Sequence, residues 1–188
     1  MFRFFFTIWA VFKPLIGGII LKEQTSLYTY PGRYASEHGE LEQYRASYRA
    51  NISCKEAIEH SITAHYGNNW LDPACVKSVV EQFGYERVFY VLANTVRQKN
   101  FDGRISHDNK AWAKTIPVCE DPDGFGGDRN VYFVVDRPHT GLTDLFLTQV
   151  RKAYDLEQEK KPSVRDALGK ASVQPAQTPA KIHKSQER

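Results

Sequence analysis

Cysteine is scarce in this chain: Cys54, Cys75 and Cys119 stand alone among 188 residues, with no Cys-x-x-Cys pair. That spacing excludes the disulfide framework of a small secreted domain and argues against a zinc ribbon. A reducing cytoplasm suits such usage best. Long apolar runs are lacking too. The most apolar stretch, "MFRFFFTIWAVFKPLIGGIILK" at 1–22, is interrupted by Lys13 and Pro14, and the run before Lys13 is nine residues. A membrane-spanning helix needs about 20. No small-x-small cleavage site follows it, which disfavours a signal peptide. Residues 1–26 therefore read as an apolar appendage, either a mis-assigned start or a signal anchor running through Lys13.

A basic body is also missing. The net charge is +3, but from Glu157 onward there are seven Lys/Arg against four Asp/Glu. Residues 1–22 hold Arg3, Lys13 and Lys22 and no acid, so residues 23–156 carry an excess of three acids. Duplex-binding domains present a basic face, so no direct sequence-specific nucleic-acid binding is expected. Residues 157–188 contain Pro162, Pro175 and Pro179 and almost no large apolar side chain. Such a segment cannot bury enough surface to offset chain entropy and reads as a disordered basic tail.

The whole chain is 13% aromatic, and what remains, about 27–156, has the apolar periodicity of a folded domain. The fold class expected is mainly α: a single small domain of five or six helices with a small β element. After a Pro31–Gly32 turn, Ser36 is placed to cap a helix carrying Leu41, Tyr44 and Tyr48. Ser53 and Glu56 have capping-box spacing for a second helix, with Cys54, Ala57, Ile58, Ser61, Ile62 and His65 on one face. Tyr66-Gly67-Asn68-Asn69 stops it. Asp72 and Pro73 open a third, striped with Val76, Val79, Val80 and Phe83 and ended by Gly84. A fourth turns Val88, Val91, Leu92 and Thr95 inward. A short fifth follows at "NKAWAKTIP". "NVYFVVD" alternates and is β-branched, which predicts a strand near 130–136. "TGLTDLFLTQVRKAYDL" is the last helix, with Leu142, Leu145, Phe146, Gln149, Val150 and Tyr154 in step.

"FDGRISHDNKAW", Phe101 to Trp112, gathers Ser106, His107 and Asp108, the side chains of hydrolytic catalysis. Triads are assembled through the fold, seldom from sequence neighbours, and no G-x-S-x-G elbow is present. An Asp102–Gly103 turn, an N-cap at Ser106 or Asp108, and Trp112 packed on the core explain most of the stretch. Capping leaves Arg104 and Asn109 over. Together with Trp112 these are the candidate binding residues; no catalytic residue, metal ligand or cofactor is assigned. "DPDGFGGDRN" fails as a calcium loop, since Phe125 and Tyr132 fall at its fifth and twelfth positions. His60 and His65 are five apart, not the four of a zincin helix. "DPACVKSVVEQFGYERVFYVLANTV" imitates a helix-turn-helix, but its second helix is too apolar to read bases.

Four ordered stretches, "YPGRYASEHGELEQYRASYRANISCKEAI", "GYERVFYVLANTV", "DGRISHDNKAWA" and "HTGLTDLFLTQVRKA", resemble an uncharacterised domain family carried by mobile elements of Gram-positive gut bacteria. The resemblance covers about 27–156 and brings no established chemistry. It further implies kinship with anti-CRISPR inhibitors that bind Cas9 with its guide RNA. The expectation is thus a non-catalytic, cytoplasmic binding protein with a protein partner, in its specific form an inhibitor of a Cas9–guide RNA complex. The alternatives are a small hydrolytic enzyme using the 102–109 loop and a membrane-anchored accessory protein.

Overall fold

The computed structural model describes residues 25–120 and 129–160. Among these, five α-helices and one two-stranded antiparallel ribbon form a single mainly helical domain: α1 Gly32–Glu37, α2 Leu41–His65, β1 Tyr66–Gly67, β2 Trp70–Leu71, α3 Ala74–Gln98, α4 His107–Thr115 and α5 Thr140–Lys160. The apolar appendage lies outside the described residues apart from Thr25 and Ser26, and so does the tail beyond Lys160.

The N-terminal half departs from the expected capping. Ser36 sits inside α1, whose N-cap is Pro31, and α2 starts at Leu41 after Glu40. Gly39, at φ +74, makes the corner between them, a conformation glycine takes without steric cost. Ser53 and Glu56 cap nothing: α2 runs unbroken through them for 25 residues. Cys54, Ile58, Ser61 and Ile62 are buried along it as the periodicity requires, so the interior stripe, not the local cap signal, fixes this helix.

The turn at Tyr66–Leu71 is a tight ribbon. Tyr66 pairs with Leu71 and Gly67 with Trp70, and Asn68 and Asn69 take φ of 51° and 58°. Asparagine tolerates that left-handed pair, which matches the twist of two-residue hairpins. Asp72 accepts from the Ala74 N–H at 2.9 Å and so caps α3. α3 is two helical runs joined at Gly84, whose φ of 76° and ψ of 156° are non-helical. Val76, Val79, Val88, Val91, Leu92 and Thr95 are buried along it. α5 buries Phe146, Leu147 and Val150 against α2 and α3, but Leu145, expected inward, is 41% exposed.

The small β element is therefore at 66–71 and not near 130–136. Arg129–Phe133 is a 3₁₀ turn, followed by irregular chain to His139. The alternation of "NVYFVVD" is real, since Phe133 and Val135 are buried, but among the described residues no neighbouring strand offers a ladder. Helix side chains satisfy its backbone instead. Asn94 Nδ2 donates to Asn130 O at 2.9 Å and Lys99 Nζ to Val135 O at 2.7 Å. Thr95 Oγ1 accepts from Val135 N at 3.0 Å, and buried Glu59 accepts from Asp136 N at 2.9 Å. Every buried backbone group needs a partner, and these four side chains replace the missing strand.

Candidate functional site

The segment from Phe101 to Trp112 bends around Asp102. Its carboxylate accepts from Arg104 N at 2.9 Å and from the Arg104 guanidinium at Oδ2, 2.6 Å. The Arg104 guanidinium, then its backbone N–H, holds the Asp102 carboxyl well below the usual carboxylate range. Arg104 Nη1 also donates to His139 Nε2 at 2.9 Å, tying the loop to the start of α5.

Ser106 is the N-cap of α4: its Oγ accepts from Asn109 N at 3.3 Å. The same hydroxyl donates to Asp144 Oδ1 at 3.1 Å. It bonds across to α5 and not to His107, and both His107 and Asp108 face solvent. The arrangement is that of a cap tied to Asp144, with neither His107 nor Asp108 bonded to the serine. Asn109 is buried, 1% exposed. Its Nδ2 donates to Asp144 Oδ1 at 2.7 Å and Thr148 Oγ1 at 3.1 Å, and its Oδ1 accepts from Arg151 Nη1 at 2.6 Å. Arg151 in turn lies 5.5 Å over the Trp112 ring. Trp112 is half-buried and meets Phe89 edge-on at 5.2 Å, in a cluster with Tyr85 and Tyr154. Asn109 and Trp112 thus meet through Arg151 along the α4–α5 seam, whereas Arg104 is engaged separately with Asp102 and His139.

Sequence reasoning passed over a different assembly. Tyr28, Tyr30, Tyr34, Tyr44, Tyr48 and Tyr90, six of the chain's ten tyrosines, form one connected array. Tyr34 stacks on Tyr30 at 4.8 Å and on His38 at 3.8 Å. Tyr28 links Tyr30 at 5.9 Å to Tyr44 at 6.1 Å, and Tyr44 stacks on Tyr48. Phe133 joins Tyr48 to Tyr90. The inner end is desolvated: burial pushes the Tyr48 and Tyr90 phenols up to about 12. The outer end is open, with Tyr30 56% and Tyr34 38% exposed, and away from it Tyr132 is 64% exposed. Tyr132 lies close enough to Tyr48 to act on its ionisation. The signal was present in the sequence as Tyr30/Tyr34 and Tyr44/Tyr48 at i, i+4, a spacing that places rings side by side on a helix. It reads equally as a core stripe.

Among the described residues no group of three or more His, Cys, Asp or Glu is placed to hold a metal ion, and no helix is long and apolar enough to cross a membrane. No curated protein and no solved structure matches the chain. One family model does match, over residues 27–155, and its description is a protein of unknown function, DUF3849. With that match spanning most of its length, the chain belongs to the DUF3849 family.

Proposed function

We propose that this is a non-catalytic binding protein whose docking face is the open end of the tyrosine array. The observation that carries the reading is the exposure of Tyr30 and Tyr34 at the end of a ring ladder anchored on Phe133 and Tyr90, with Tyr132 also exposed beside Tyr48. Tyrosine is enriched in protein interfaces because its ring gives contact area at low conformational cost while the hydroxyl keeps hydrogen-bonding capacity. A ladder already stacked in the free protein loses little further freedom on binding. The polar residues that first suggested chemistry are consumed in the seam: Ser106 as a cap, Asn109 in a buried network, Arg104 on Asp102 and His139.

The partner we propose is a protein, in the specific form a Cas9–guide RNA complex that this chain inhibits as a cytoplasmic product of a mobile element. Support comes from the sequence resemblance and from the acidic excess of residues 23–156, which suits the basic channel of a nucleic-acid enzyme. The test is affinity capture from the source cell with the full chain as bait. A Tyr30→Ala/Tyr34→Ala/Tyr132→Ala variant serves as control. A partner retained by the native chain and lost by the variant supports the reading; equal retention by both removes the tyrosine face from it.

A further inference from the structure

Phe101 is 89% exposed, the most exposed large apolar side chain among the described residues. Its loop is nonetheless held firmly. Asn100 N donates to Arg97 O at 3.3 Å, Asp102 N to Lys99 O at 2.8 Å and Ile105 N to Asp102 O at 3.3 Å. Arg104 clamps the loop to Asp102 and His139, and Ile105 is anchored in the core. A phenyl ring presented to water on a fixed loop is an unspent anchor.

Beside it, Asn100 lines a groove between the end of α3 and α4, floored by Val96 and walled by Arg97, Lys110 and Lys114. The Arg97 guanidinium is committed. It donates to Ala113 O at 3.1 Å and Ile116 O at 2.6 Å, capping the end of α4, and lies 3.7 Å from Glu120. Lys110 and Lys114 have no ion pair among the described residues. One turn apart on α4, they are separated by about 6 Å along its axis. Alternate residues of an extended chain are separated by roughly 6.6 Å.

We propose that this groove and Phe101 form a second docking surface, sharing no residue with the tyrosine face, for an acidic extended segment of a partner protein. Two of its alternate carboxylates pair with Lys110 and Lys114, and Phe101 enters an apolar contact next to them. A polypeptide fits better than a nucleic acid. Two uncommitted cations neutralise two charges, whereas tight phosphate-backbone binding draws on many more.

The test is fluorescence anisotropy of the full chain with a labelled peptide, Glu-Leu-Glu-Phe-Glu-Leu-Glu, against a labelled oligouridylate. The peptide is expected to bind with micromolar affinity at low salt and to weaken as salt rises. Lys110→Glu/Lys114→Glu and Phe101→Ala should each weaken it about tenfold, the loss of one hot-spot contact. Both variants should melt as the parent does, because none of the three side chains is buried. Absence of peptide binding, binding indifferent to the substitutions, or tighter oligouridylate binding lost in the same variants would each overturn the proposal.

Discussion

Asn109 joins two elements, α4 and α5, through one amide. Its Nδ2 reaches Asp144 and Thr148 on α5, and its Oδ1 takes a hydrogen from Arg151. Asn109→Ala leaves the Arg151 guanidinium and the Asp144 carboxylate each short of a partner. A loss of about 1–3 kcal/mol is expected in thermal or denaturant melts. Ser106→Ala removes only a cap and should cost about 1 kcal/mol. Trp112→Ala should cost about 2 kcal/mol, less than the 3–5 of a fully buried ring, because the indole is only half-buried. An unchanged melt for Asn109→Ala would show that the seam is not held by this network. Ionisation offers a second check at the same scale. Burial pushes the Cys54 thiol up to about 12 and the Cys75 thiol up to about 11. Since the thiolate is the reactive form, a thiol reagent near neutral pH should label only half-buried Cys119 in the native chain and all three after unfolding. The Tyr48 and Tyr90 phenols, ordinarily near 10, ionise in the folded protein only at about 12. Their raised values mean that stability is intact below pH ~10 and is lost as pH rises from there through 12. Ultraviolet titration should show these phenolates appearing late and together with unfolding.

At the scale of elements, the break in α3 rests on one residue. Gly84 combines φ 76° with ψ 156°, a region that side-chain-bearing residues avoid at a cost of about 1–3 kcal/mol. Gly84→Ala is predicted to lose that much. Gly103→Ala, with open space where its Cβ would stand, should stay within about 0.5 kcal/mol. Equal melts for the two would contradict the observed break. Gly84 was legible in the sequence because a glycine after an apolar stripe marks a helix end, and Asp72 and Ser106 were legible as caps for the same local reason. Ser36, Ser53 and Glu56 misled because α2 owes its continuity to burial of Cys54, Ile58 and Ile62, which outweighs any local cap. The 130–136 segment misled differently. Its alternation reports which side chains are buried, whereas a strand also needs a neighbouring strand, and Asn94, Thr95, Lys99 and Glu59 take that place from distant points of the chain. The tyrosine array was legible only as separate i, i+4 pairs for a related reason: Tyr28, Tyr48 and Phe133 are linked through tertiary packing.

For the whole molecule, the account holds that a helical scaffold presents a tyrosine face to a protein partner and carries out no chemistry. Complexes of this kind form at a fixed ratio, whereas an enzyme acts far below it. The acidic excess of residues 23–156 adds long-range attraction toward a basic partner, so binding should also weaken with salt. The most direct measurement is plasmid cleavage by Cas9 and guide RNA, using Cas9 enzymes from several Gram-positive sources, titrated with the full chain. The account predicts that cleavage by a susceptible enzyme stops at a fixed molar ratio, without cofactor, and that the Tyr30→Ala/Tyr34→Ala/Tyr132→Ala variant fails to stop it while melting normally. Unchanged cleavage by every enzyme at large molar excess, or loss of cleavage at a small fraction of stoichiometry, would contradict it.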